Sequence, residues 1–126
     1  MSTIVVGYAL ASVIAAAIIV IGARFLLAPR VAAAGYGVAW AQDQPPGNAY
    51  LSVKGVRDIA SGLIVVILMI AGSAHLVGWV LLAATIIPIA DAAIVLGNGG
   101  AKTTAWGVHG ATAAVMLVTA ALLLLS

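Results

Sequence analysis

The sequence predicts an all-α integral membrane protein: a bundle of four transmembrane helices with both termini on the non-cytoplasmic side. Three observations carry this. Hydrophobic residues make up 65% of the 126 positions, and mean hydropathy is +1.28. Charged residues make up only 6%, where a soluble domain has about a quarter, so a soluble monomer is excluded. The charges are Arg24, Arg30, Asp43, Lys54, Arg57, Asp58, Asp91 and Lys102, leaving residues 1–23, 59–90 and 103–126 free of charge. A bilayer core of about 30 Å needs roughly 20 apolar residues of helix, and the run 59–90 has room for more than one span. Apolar and polar residues do not alternate within these runs, which are also too long for barrel strands. The length fits a single membrane domain over residues 1–126.

Helix 1 is expected over about residues 3–28, with Pro29 blocking continuation. Its start, Met1-Ser2-Thr3, lacks the basic region of a signal peptide, and its apolar run exceeds a normal signal core, so it reads as a retained span. Gly7, Ala11 and Ala15 form a small-residue ridge suited to helix packing, within one chain or between protomers. A loop over about residues 29–53 follows. Its stretch 31–41 has helix-compatible composition interrupted by Gly35 and Gly37, and Gln42-Asp43-Gln44-Pro45-Pro46-Gly47-Asn48 is a turn. Tyr36, Trp40 and Tyr50 lie in the loop and suit the headgroup region. The loop is longer than a minimal connection needs, which fits either a lid over a site or an interfacial helix anchoring the bundle. Helix 2 is expected over 54–71, Gly72-Ser73-Ala74-His75 is a short turn, and helix 3 spans 76–96. Gly97-Asn98-Gly99-Gly100 stops helix 3, and Thr103-Thr104 caps a fourth helix running to the C-terminus.

Arg24, Arg30, Lys54 and Arg57 flank the first loop and Lys102 lies in the last, so with four spans all Lys and Arg fall on one side. The positive-inside rule makes that side cytoplasmic and the protein a multi-pass component of the plasma membrane, or inner membrane.

On this layout each helix places one ionisable group, Arg24, Asp58, Asp91 or His109, roughly 6–8 Å inside its charged-side end. Asp91 is the sharpest signal, because a carboxylate within an apolar span is costly unless paired, protonated or hydrated. Pro88, three residues earlier, removes a helix hydrogen bond from the Ala84 carbonyl, and a kink beside the acid can open a wet pocket. His109, with Trp106, Thr112 and Ala113 on its face, can shuttle protons or tie helix 4 to Asp91, and either role brings Asp91 and His109 together. Asp58 is either part of the site or a helix-start charge paired with Lys54 four residues away. Arg57 and Arg24 are topology anchors or anion-binding groups, and Trp106 is a pocket wall or a belt residue. The candidate catalytic residues are therefore Asp91, His109 and Asp58. The candidate substrate-binding residues are Arg57, Lys54, Arg24 and Trp106. His75 and Trp79 belong to the opposite interface.

The chain has no cysteine, which excludes disulfides, thiolate nucleophiles and Cys-based metal sites. It also lacks a tight metal motif, a phosphate loop, a nucleotide fingerprint and a haem-attachment sequence, so neither a metal nor a cofactor is expected. The sparse charge argues against a nucleic-acid partner. The expected partners are the lipid bilayer and an apolar small molecule, with association into a homo-oligomer or a larger membrane complex left open.

The run Tyr50-Leu51-Ser52-Val53-Lys54-Gly55-Val56-Arg57-Asp58-Ile59-Ala60-Ser61-Gly62-Leu63 resembles the signature of the bacterial and fungal family known as domain of unknown function 4267. Pro88–Asp91, Gly107–Ala111 around His109, and Ala33-Ala34-Gly35-Tyr36-Gly37 fit the same pattern. The resemblance implies a small four-helix membrane bundle broadly similar to DoxX-like proteins. It places its matching motif positions at Lys54, Arg57, Asp58, Asp91 and His109, and implies no activity.

Three functions remain open on sequence alone. One is an enzyme or binding protein holding an apolar small molecule with its polar end against Asp58, Asp91 and His109, by acid–base chemistry. Another is a proton-coupled small transporter, against which the nearly apolar outer half counts. The last is a non-catalytic subunit whose polar layer holds the helices together.

Overall fold

The computed structural model describes residues 1–38 and 49–126, and every regular element among them is helical. Trp40, Asp43 and the turn expected at 42–48 lie outside the described residues. In order come α1 (Thr3–Leu27), α2 (Pro29–Tyr36), α3 (Ala49–Ala71), α4 (Ala74–Ala84), α5 (Ile86–Gly97), the single turn α6 (Lys102–Thr104), a π-helical turn (Ala105–Gly110) and α7 (Ala111–Leu124).

Among the described residues, three helical stretches are long and apolar enough to cross a bilayer: Thr3–Leu27, Ala74–Gly97 and Lys102–Leu124. At 23 residues α3 is as long, but Lys54, Arg57 and Asp58 crowd its first half. Large apolar side chains, among them Val20, Ile64, Ile70, Ile86 and Val118, are exposed around the bundle. An exterior of that kind suits lipid and would aggregate in water.

Ser2 starts α1 by accepting the Val5 N–H at 3.4 Å. The helix ends at Ala28 (φ −142°, ψ 65°), and Pro29, whose missing N–H costs nothing at a first helical position, opens α2. The small-residue ridge of α1 packs inside the chain. Ala11 and Ala15 are fully buried, Gly7 seats Leu123 of α7, and Gly62 of α3 lies on the Ala15 carbonyl. Toward the other end of α1, Gly22 meets Gly55 of α3 backbone to backbone: a Cβ on Gly22 would lie 2.5 Å from the Gly55 carbonyl oxygen. Because residue 7 meets 123 while 22 meets 55, and Gly78 of α4 also packs on Leu123 and Leu124, the helices alternate in direction. One end holds the start of α1 and the end of α7. The other holds α2, Val95 and Thr104, which crowd around Gly37.

Two departures from the sequence reading bear on function. First, α3 begins at Ala49 rather than near Lys54, because Leu51 packs against the buried cluster of Phe25, Ala32 and Ala33 and tertiary burial extends the helix toward its start. Second, the expected helix over 76–96 is interrupted. Pro88 has no N–H for the Ala84 carbonyl, and the helix breaks at the next residue, Thr85, whose buried hydroxyl donates to the Leu81 carbonyl at 2.8 Å. The segment carrying Asp91 is thereby set off as α5.

Gly37 ends α2 in the left-handed conformation (φ 92°), its N–H donating to the Ala33 and Ala34 carbonyls. A Cβ there would also sit 2.9 Å from Thr104 Cγ2. Gly37→Ala is therefore expected to cost about 1–2 kcal/mol from backbone strain alone, read as a lowered midpoint in a detergent melt. An unchanged midpoint would contradict this placement of α2.

Candidate functional site

The polar residues of the charged-side end are assembled by α2, α3, α5 and the π turn. In the π turn the backbone bonds i→i+5, which widens it relative to an α-helix. His109 (4% exposed) lines up at four-residue spacing with Ala105 and Ala113, both buried, while Trp106 (65% exposed) and Thr112 face outward. Trp106 and Thr112 thus do not share the buried face of His109.

His109 Nε2 lies 2.8 Å from the Tyr36 carbonyl oxygen. A carbonyl can only accept, so Nε2 carries the hydrogen. That leaves Nδ1 facing Asp91 Oδ2 at 3.9 Å, too far for a direct hydrogen bond. The predicted approach of Asp91 to His109 is present. Asp91 keeps a fifth of its side chain accessible (21%), whereas His109 is buried.

Tyr36 binds the arrangement together. Its ring stands edge-on to His109, with centroids 4.3 Å apart, and to Phe25 at 5.8 Å. Burial, with the neighbouring Asp91 and Asp58 carboxylates, pushes the phenol well above its ordinary range. The hydroxyl therefore stays protonated. Since the folded form holds this proton more tightly than the unfolded form, its contribution to stability is complete below about pH 10 and declines as pH rises above that.

Lys54 flanks the other side of Tyr36. Its Nζ is 4.4 Å from the Tyr36 ring centroid, 4.5 Å from that of Phe25 and 2.6 Å from Asp58 Oδ2. Two ring faces and a carboxylate hold the ammonium. Lys54→Ala should lower stability by about 1 kcal/mol, and a melting midpoint unmoved by the substitution would show the seat to be incidental.

Asp91 and His109 thus approach each other without a direct hydrogen bond, Lys54 and Asp58 adjoin them through the Tyr36 ring, and Tyr36 enters the sequence reading as a headgroup aromatic and as part of the family-like stretch 33–37. Arg24 and Arg57 are exposed on the outside of the bundle. Two shallow apolar hollows lie against Ala28, Pro29, Arg30 and Val31, and against Ser52, Val53, Val56 and Arg57; neither is lined by Asp91 or His109. His75 and Trp79 are exposed at the opposite end. Among the described residues no group of three or more His, Asp or Glu is placed to hold a metal ion.

The family described as Domain of unknown function (DUF4267) matches residues 15–123, a stretch that includes Phe25, Tyr36, Lys54, Asp58, Asp91 and His109. No curated protein and no solved structure matches the chain.

Proposed function

The chain belongs to the DUF4267 family, whose description names no activity, and from the site we propose a membrane protein that binds an apolar small molecule by a polar end and acts on it by acid–base chemistry. In this reading α3 crosses the bilayer with the three more apolar stretches. The bundle has four spans, both termini lie outside, and the site faces the cytoplasmic half of the plasma membrane.

The observation that supports it is the Asp91–His109 pair. With the Nε2 hydrogen committed to the Tyr36 carbonyl, a neutral His109 turns the lone pair of Nδ1 toward a carboxylate oxygen 3.9 Å away. Two acceptors facing each other call for a donor. A proton on Nδ1 supplies one, giving an ion pair. A ligand hydroxyl or N–H beside the pair supplies another, and its proton can then pass to Nδ1 while Asp91 stabilises the imidazolium. The π turn that carries the buried His109 supports the same reading, because such turns are frequent at functional sites. The apolar surroundings select a molecule that is otherwise hydrocarbon. A structural latch is the competing reading, favoured by the close packing of Tyr36 on Phe25 and His109.

The test uses the chain's two histidines. In nanodiscs, with ring nitrogens labelled with nitrogen-15, a long-chain alcohol should shift the His109 resonances and leave His75 unchanged. The methyl ether of that alcohol, which has no donor, should shift neither. No shift at His109, or equal shifts with alcohol and ether, would reject a donor-binding site.

A further inference from the structure

We infer that α2 is a hinged lid over the Asp91–His109 pair, latched by Tyr36. The proposal deepens the function proposed above by naming the element that admits the ligand, but the motion is tested without any ligand.

The geometry of α2 carries it. The helix is eight residues long and hangs between two joints. At one, Ala28 leaves the helical conformation for a single residue between α1 and Pro29; at the other, Gly37 is left-handed. A change of dihedral angle at two residues swings the whole segment, as hinge motions require. The apolar anchoring of α2 is slight: its buried residues are Ala32 and Ala33, each contributing one methyl to the Phe25 cluster. Tyr36, by contrast, joins α2 to three other elements. Its carbonyl takes the His109 hydrogen from the π turn, its ring covers the Lys54 ammonium of α3, and the same ring stands edge-on to Phe25 of α1. His109, one of the two acid–base groups, is thus among the groups that hold the lid shut.

The chain has no cysteine, so a single reporter reads the motion cleanly. Ala33 is 2% exposed beneath α2, and Ala33→Cys should react slowly with a charged maleimide in detergent micelles. Adding Tyr36→Ala removes the ring that packs on Phe25, His109 and Lys54, and should raise the labelling rate about tenfold. In that background the helical circular dichroism and its melting midpoint should stay within a few degrees of the parent. Equal labelling rates in parent and Tyr36→Ala proteins would overturn the latch. Fast labelling accompanied by a collapsed melt would overturn the lid, since Tyr36 would then hold the entire bundle and not a hinged segment.

Discussion

Gly22→Val is expected to disrupt the fold more than any other single change in the α1–α3 seam, costing about 3 kcal/mol or more. Overpacking is usually relieved by a side chain turning aside, but here the neighbour is backbone. The added Cβ would fall 2.5 Å from the Gly55 carbonyl oxygen and 2.9 Å from the Ile59 nitrogen, so α1 and α3 must part. Parting them also separates Phe25, three residues beyond Gly22, from Lys54, the neighbour of Gly55, and so opens the ammonium seat beside Tyr36. Gly97→Ala is the matched control, because nothing lies within 4 Å of a Cβ there. The check is the yield of monodisperse protein extracted from membranes and its melting midpoint. If Gly22→Val melts with the parent while Gly97→Ala does too, the two helices are not in backbone contact, and the arrangement of the site falls with them.

The seam shows why the architecture was more legible in the sequence than the site. Bilayer crossing is an average property, so charge-free runs, a proline at 29 and a glycine cluster at 97–100 bounded the apolar helices to within a few residues. The ridge of Gly7, Ala11 and Ala15 could be recognised as packing, but only the partners Leu123 and Gly62 show that it packs within the chain. Asp91 and His109 could be paired by depth alone, since both are polar groups near one end of apolar runs, and their approach is present. Depth says nothing about rotation around a helix axis. The outward placement of Trp106, which leaves it the belt residue and not the pocket wall, is a matter of that rotation. Tyr36 was missed for a related reason. Loop aromatics usually sit among headgroups, and what distinguishes this one is the short helix bounded by Pro29 and Gly37 that folds it back over the bundle end. Those two residues, eight positions apart, are the signal that could have marked it.

Asp91→Asn is expected to weaken the binding of a long-chain alcohol by about ten- to a hundredfold while changing stability by less than about 1 kcal/mol. The amide has the shape of the carboxylate. Its nitrogen can donate toward His109 Nδ1, so the substituted pair becomes donor facing acceptor and satisfies itself. That exchange offsets the lost charge in the free protein, but it removes the reason for a ligand donor to enter and replaces an ionised acceptor, worth about 1.5–3 kcal/mol per hydrogen bond, with a neutral one. His109→Ala behaves differently. It leaves the Tyr36 carbonyl without its donor and empties a buried position, so both binding and the melting midpoint should fall. The contrast separates the readings. A latch without a ligand predicts that Asp91→Asn is nearly silent in every assay, alcohol binding included. The proposed site predicts that Asp91→Asn is silent in the melt alone. Undiminished alcohol-dependent shifts at His109 in the Asp91→Asn protein would remove Asp91 from any binding role.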